Sequence, residues 1–135
     1  MDIVEAVGVA IINKEKQVLI AKRKEDKPMP NKWEFPGGKL EEDESLEECG
    51  VREIKEELDL DVVIDSYLGA EDIHYRNRDF RLHLYTAHLK DEEQNYVLHE
   101  HSEAVWVEFS EFGLYDFPAY KLSFIKPLLK ILQKD

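Results

Sequence analysis

The sequence lacks the features that mark a secreted, fibrous or membrane-spanning chain. It holds one cysteine, Cys49, so no internal disulfide can staple it. No apolar run approaches the length of a membrane span, and Met1-Asp2-Ile3 does not open a signal peptide. Positive charge is scarce: 18 Lys and Arg stand against 30 Asp and Glu, a net charge of −12. That imbalance argues against a nucleic-acid polymer or an anionic membrane as partner, because either would be repelled. Small anions stay admissible if cations screen them. With 135 residues, the chain is expected to form a single domain, 1–135, with its own hydrophobic core, soluble and cytoplasmic.

Hydrophobic patterning places the elements. Residues 3–12 are rich in β-branched and small apolar side chains, Asn13-Lys14-Glu15-Lys16 is a polar turn, and Val18-Leu19-Ile20-Ala21 follows. The pair reads as a hairpin with a buried first strand. Lys22-Arg23-Lys24 is the densest basic cluster, either a solvated strand end or, through the planar fork of Arg23, a phosphate-contacting group. Trp33-Glu34-Phe35 is a short strand that Pro36-Gly37-Gly38 breaks. The glycines serve a tight turn or a close backbone approach, and their carbonyls are candidate metal ligands. Residues 62–75 and 79–89 read as two long strands, 90–102 as a polar loop and Ala104-Val105-Trp106-Val107 as another strand. A final amphipathic helix carries Leu122, Phe124, Ile125, Leu128, Leu129 and Ile131, and Pro127 requires that it start late or kink.

The most informative stretch is Gly37 to Leu60. Ser45-Leu46-Glu47-Glu48 fits a capping box that opens a helix running to about Leu58. Gly50, Val51, Ile54 and Leu58 share the side expected to pack on a sheet, with Leu46 and Cys49 beside an acidic arc. Cys49 reads as a packing residue, not a ligand. The arc is Glu53, Glu56 and Glu57, spaced i, i+3 and i+4 and so within roughly 100° of helix surface. Like charges at that spacing destabilise an isolated helix. A divalent cation would compensate them, and oxygen-only donors select Mg²⁺, Mn²⁺ or Ca²⁺ over zinc. Arg52 beside them either holds a glutamate in place or makes an ordinary helix ion pair.

These residues carry a family resemblance. Gly38, five residues, Glu44, seven residues, Arg52-Glu53-Ile54, one residue, Glu56-Glu57 and then Leu60 resembles the Nudix box of hydrolases acting on nucleoside diphosphates linked to another group. Asp59 stands where that pattern usually has glycine, at a position wanting positive φ, which Asp tolerates. Pro30-Asn31-Lys32-Trp33-Glu34-Phe35-Pro36-Gly37-Gly38-Lys39 is similar to the lead-in of the MutT-like branch.

The resemblance implies an α/β fold, a Nudix-type α/β/α sandwich whose mixed central sheet is flanked by the box helix and a C-terminal helix. It implies an enzyme that uses Mg²⁺ or Mn²⁺ to hydrolyse a nucleoside triphosphate to nucleoside monophosphate and pyrophosphate, as a monomer or homodimer. Glu53, Glu56 and Glu57 would be metal ligands, with the Gly37 carbonyl and a distal acid, Glu100 or Glu103, completing the set. Glu100 is the better placed and is also a candidate general base. Arg52 would orient Glu53, Glu44 would sit at the helix start, and Arg23 would contact substrate. Where the branch reads its base with Asn or Asp this chain has Tyr120, so the base is left open. Hydrolysis of a dinucleoside polyphosphate or nucleotide sugar is the alternative, and a non-catalytic nucleotide-binding module is a further one. ADP-ribose hydrolysis is disfavoured because no proline occurs between Gly37 and Phe117.

Overall fold

The computed structural model describes residues 2–118 and 122–134, with backbone only at 122 and 123. Seven strands and two α-helices follow in the order β1 (Ile3–Ile11), β2 (Val18–Arg23), β3 (Trp33–Glu34), β4 (Gly37–Lys39), α1 (Leu46–Leu58), β5 (Val62–Tyr75), β6 (Arg78–Leu89), β7 (His101–Val107) and α2 (Leu122–Leu132). A 3₁₀ segment, Phe109–Leu114, lies between β7 and α2. Among the described residues no helix is long and apolar enough to cross a membrane.

One sheet has the order β4-β1-β6-β5 and the other β3-β2-β7. The first is mixed: β1 runs parallel to β6 and antiparallel to β4. Alternation along the strands explains the layering, because successive side chains point to opposite faces. Val7, Val9 and Ile11 of β1 and Tyr85, Ala87 and Leu89 of β6 join Cys49, Ile54 and Leu58 of α1 in one core. Ala10 and Leu84, one residue out of phase, join Phe124, Leu128 and Leu132 of α2 in the other. A sheet buried on both faces needs apolar residues at nearly every position, as Val7, Val9, Ala10 and Ile11 supply in β1, while β6 buries His83 and Thr86 beside Leu84, Tyr85 and Ala87. The α/β/α sandwich follows.

Several local expectations change. The β1–β2 hairpin does not form: the two strands share only an isolated bridge between Ile12 and Val18. Both edges of β1 are taken by β4 and β6, and β2 passes to the second sheet. Gly37-Gly38 does not merely end a strand but forms β4 against β1, because a Cβ on Gly37 would lie 1.8 Å from the Val7 carbonyl oxygen. The last strand starts three residues early, at His101, which pairs with Arg23 across a register shift. On α1, Cys49 is fully buried whereas Val51 is exposed, so the inward face is rotated toward the acidic arc. Helix α2 begins at Leu122 and runs through Pro127.

The ends of α1 are set locally. The Ser45 side chain accepts from Glu48 N–H at 3.1 Å and Glu48 Oε1 accepts from Ser45 N–H at 2.8 Å. Asp59 ends the helix at φ 58°, the left-handed conformation the glycine of the box would supply. Replacing Ser45 by Ala should lower unfolding stability by about 1 kcal/mol in urea titrations, without altering the far-ultraviolet spectrum of the folded chain.

Candidate functional site

Helix α1 turns its acidic arc toward β4 instead of toward water. Glu53 and Glu57 keep only 13 % and 12 % of their side chains exposed, and Glu56, at the edge of the arc, 58 %. Gly38 makes room for this, since a Cβ there would stand 1.8 Å from Glu53 Oε2. The two glycines thus let β4 lie against β1 on one side and the Glu53 carboxylate on the other.

Arg52 holds the arc in shape. Its Nε and Nη2 donate to the two oxygens of Glu44 at 2.9 and 2.7 Å. Its Nη1 donates to Glu53 Oε1 at 3.1 Å and Glu56 Oε1 at 3.2 Å, and Nη2 also reaches the Lys39 carbonyl at 3.1 Å. The guanidinium draws the Glu44 carboxyl down to about 2. Burial pushes Glu53 up, against the pull of Arg52. Glu57 has no guanidinium partner, its Oε1 standing 3.9 Å from His101 Nδ1; burial, then the charges of Glu34 and Glu53, push its carboxyl up to about 9 despite a backbone hydrogen bond at Gly37. Its buried Oε1 has no hydrogen-bond partner. A carboxylate this enclosed requires either a proton or a cation.

The arc opens on a cleft of about 230 Å³ lined by Glu34, Glu53, Glu56, Glu57 and Glu100, with Gly37, His101, Arg23 and Lys27 completing the wall. Five carboxylates thus face two permanent cations. Among the described residues, no three acidic, histidine or cysteine side chains already converge as a ligand cage; Glu53 and Glu56 rest on Arg52. The donor set nonetheless fits a hard divalent cation, because it is all oxygen, crowded and partly desolvated.

Of the residues singled out from sequence, the fold brings Arg23, Gly37, Glu53, Glu56, Glu57 and Glu100 to this cleft. Glu44 acts on it through Arg52. Glu103 does not line the cleft and pairs with Lys22, 3.4 Å away. Cys49 is buried and its thiol is pushed up to about 12 by burial, in keeping with a packing role. Tyr120 lies outside the described residues.

Three cleft residues carried no assigned role in the sequence: Lys27, Glu34 and His101. Glu34 accepts from Arg23 Nη1 at 2.9 Å through one oxygen, and its other oxygen lies 2.7 Å from His101 Nε2. The pairings that assemble this trio join β2 to the next strand, Ala21 with Glu34, and to one far along the chain, Arg23 with His101. The adjacency of His101 to Glu100 was the one local signal.

A second hollow of about 270 Å³ adjoins the first, sharing Arg23, Glu34 and Gly37. Its walls are chiefly apolar, with Met29, Phe35, Ile73, Tyr75, Phe80 and Leu82 among them. The site is therefore bipartite: an acidic cleft beside a chiefly apolar slot.

Known proteins resemble this chain in sequence and fold. Residues 2–128 match the NUDIX domain family. The chain is 36 % identical over 107 residues to the CTP pyrophosphohydrolase of Escherichia coli (strain K12), covering 78 % of this chain and 76 % of that protein. It is 47 % identical over 57 residues to the 8-oxo-dGTP diphosphatase of Proteus vulgaris, covering 42 % of this chain and 50 % of that one. Among solved structures, the MutT protein of Methanosarcina mazei Go1 superposes with a TM-score of 0.85 at 26 % identity, over 97 % of this chain and 96 % of that one. The chain belongs to the NUDIX domain family and is a Nudix hydrolase.

Proposed function

We propose that this protein hydrolyses a nucleoside triphosphate to nucleoside monophosphate and pyrophosphate in the presence of Mg²⁺ or Mn²⁺. The observation that carries the reading is the buried Glu57 carboxylate, one oxygen of which has no hydrogen bond, among five cleft glutamates beside a chiefly apolar slot of about 270 Å³. A polyphosphate could not enter a cleft of that charge without cations to bridge it. The E. coli relative named for CTP and the P. vulgaris relative named for 8-oxo-dGTP both act on triphosphates, which supports the substrate class. Since the two names cover a pyrimidine and an oxidised purine, the base stays open between them.

Glu53, Glu56, Glu57, Glu100 and the Gly37 carbonyl would hold the cations. When bound, such ions neutralise charge building on the bridging oxygen and lower the pKa of a water. Arg52 keeps Glu53 and Glu56 at the cleft wall instead of in solvent, and Glu44 fixes Arg52 in turn. Glu34 fixes Arg23 at the junction of the two hollows, where its guanidinium faces the phosphate chain. A cleft carboxylate, Glu53, Glu56 or Glu100, takes the proton of the attacking water. The water oxygen bonds to phosphorus as the bridging P–O bond breaks, and pyrophosphate leaves.

With Mg²⁺ present, a panel of CTP, dCTP, dGTP and 8-oxo-dGTP should show release of pyrophosphate and monophosphate from at least one member. Absence of turnover across the panel would defeat the reading. The Glu53→Gln variant should keep its fold and lose on the order of 10³-fold in kcat, whereas near-normal turnover would remove Glu53 from the mechanism.

Stability should respond to metal in a pH-dependent way. The Glu57 carboxyl titrates near 9 in the folded chain against an ordinary 4.5. Between those values the unfolded chain has released a proton that the folded chain still holds, so metal-free stability falls as pH rises from about 4.5 to about 9. A cation that replaces the proton offsets the loss. Thermal melts in Mg²⁺ against chelator should therefore show a larger rise in Tm at pH 8 than at pH 6, on the order of 10 °C at a hundredfold excess over Kd.

A further inference from the structure

The loop between β2 and β3 forms the outer wall of both hollows. Lys27 reaches the acidic cleft, with its Nζ 3.7 Å from Glu100 Oε2, while Pro28 and Met29 line the apolar slot. Little in the loop itself holds this shape. Residues 24–28 are exposed; backbone hydrogen bonds close the base of the loop, 2.9 Å from Arg23 N to Lys32 O and 3.2 Å from Asn31 N to Arg23 O, but its tip has only Lys27 N to Lys24 O at 3.1 Å and Lys32 N to Met29 O at 3.4 Å. Met29 and Asn31 adopt left-handed φ of 53° and 62°, which disfavours residues with a Cβ. A chain segment in that conformation persists when its surroundings impose it.

Two side chains impose it. Arg23 Nε donates to the Pro28 carbonyl, and the Tyr75 hydroxyl accepts from Met29 N–H at 3.1 Å. Tyr75 is the last residue of β5, so its ring belongs to the sheet and not to the loop; the Arg76 guanidinium caps the ring at 5.3 Å. The loop is therefore held from β2 through Arg23 and from β5, in the other sheet, through the Tyr75 phenolic oxygen. Loss of that acceptor would leave the half-buried Met29 N–H without a partner and free the segment that spans base and phosphate.

We propose that Tyr75 is a positioning residue for the nucleotide: its hydroxyl pins Met29, which sets the width of the apolar slot and brings Lys27 over the phosphate end. The proposal rests on the site being a nucleotide site. Because the pin acts on binding and not on the reacting atoms, its loss should appear mainly in KM.

Tyr75→Phe keeps the ring and removes the acceptor. We expect kcat/KM to fall about three- to tenfold, the factor one neutral hydrogen bond supplies, carried mainly by a rise in KM for the preferred triphosphate. Amide hydrogen exchange of segment 24–31 should quicken in the same variant without nucleotide. Tyr67→Phe is the control: that phenol lies earlier on β5 and bonds His83 at 2.9 Å, away from both hollows, so neither KM nor loop exchange should change. Unchanged exchange in the loop of Tyr75→Phe overturns the pin, as does a loss confined to kcat or matched by Tyr67→Phe. If the unaltered protein hydrolyses no nucleotide, the functional reading fails and the positioning role with it, while the exchange result still decides whether the pin exists.

Discussion

Arg52 faces four carboxylates at once, Glu44, Glu53 and Glu56 within hydrogen-bond distance and Glu41 at 3.6 Å. The geometry of the site depends on this one cation. Three glutamates on adjoining turns repel one another, and a helix carrying them would gain most by turning them to water. The helix instead faces them inward, because Cys49, Gly50, Ile54 and Leu58 on the same side must reach the core. Arg52 makes that compromise tolerable for Glu53 and Glu56. Glu57 lies outside its reach, and burial leaves that carboxyl with a raised pKa and an unmatched oxygen.

The neighbours follow from the same constraint. Carboxylates turned inward need a wall without side chains, and Gly38 provides it where any Cβ would collide with Glu53. Gly37 lets that wall lie close to β1. Glu34 and His101 meet at the cleft because β2 pairs with both β3 and β7. The acidic cleft and the apolar slot then share Arg23 and Glu34, so the group that binds charge and the group that borders the slot are tied by one ion pair of 2.9 Å.

What could be read in the sequence was local. The i, i+3, i+4 spacing of Glu53, Glu56 and Glu57, the capping box at Ser45 and the left-handed Asp59 each depend on a few consecutive residues, and each appears as expected. The two long strands were legible for the same reason. What could not be read depends on pairing between distant segments. Nothing near Gly37 says that it will form a strand against β1, and nothing near His101 says that it will face Arg23. Rotation of α1 also escaped the pattern: Val51 is as apolar as Ile54, and only the packed fold shows that Cys49 takes the inward place. Lys27 sits in an exposed loop that meets Tyr75 through the Met29 N–H, a contact between residues 46 apart in sequence.

In the reading proposed above, a divalent cation and not a proton is the partner of the buried Glu57 carboxylate. Calorimetric titration of Mn²⁺ at pH 7, repeated in two buffers of different ionisation enthalpy, measures the protons released per cation bound. With the Glu57 carboxyl near 9, uptake should release up to one proton per chain at this step, and Glu57→Gln should abolish that release. Binding with no proton release, or no binding at all, would contradict the account.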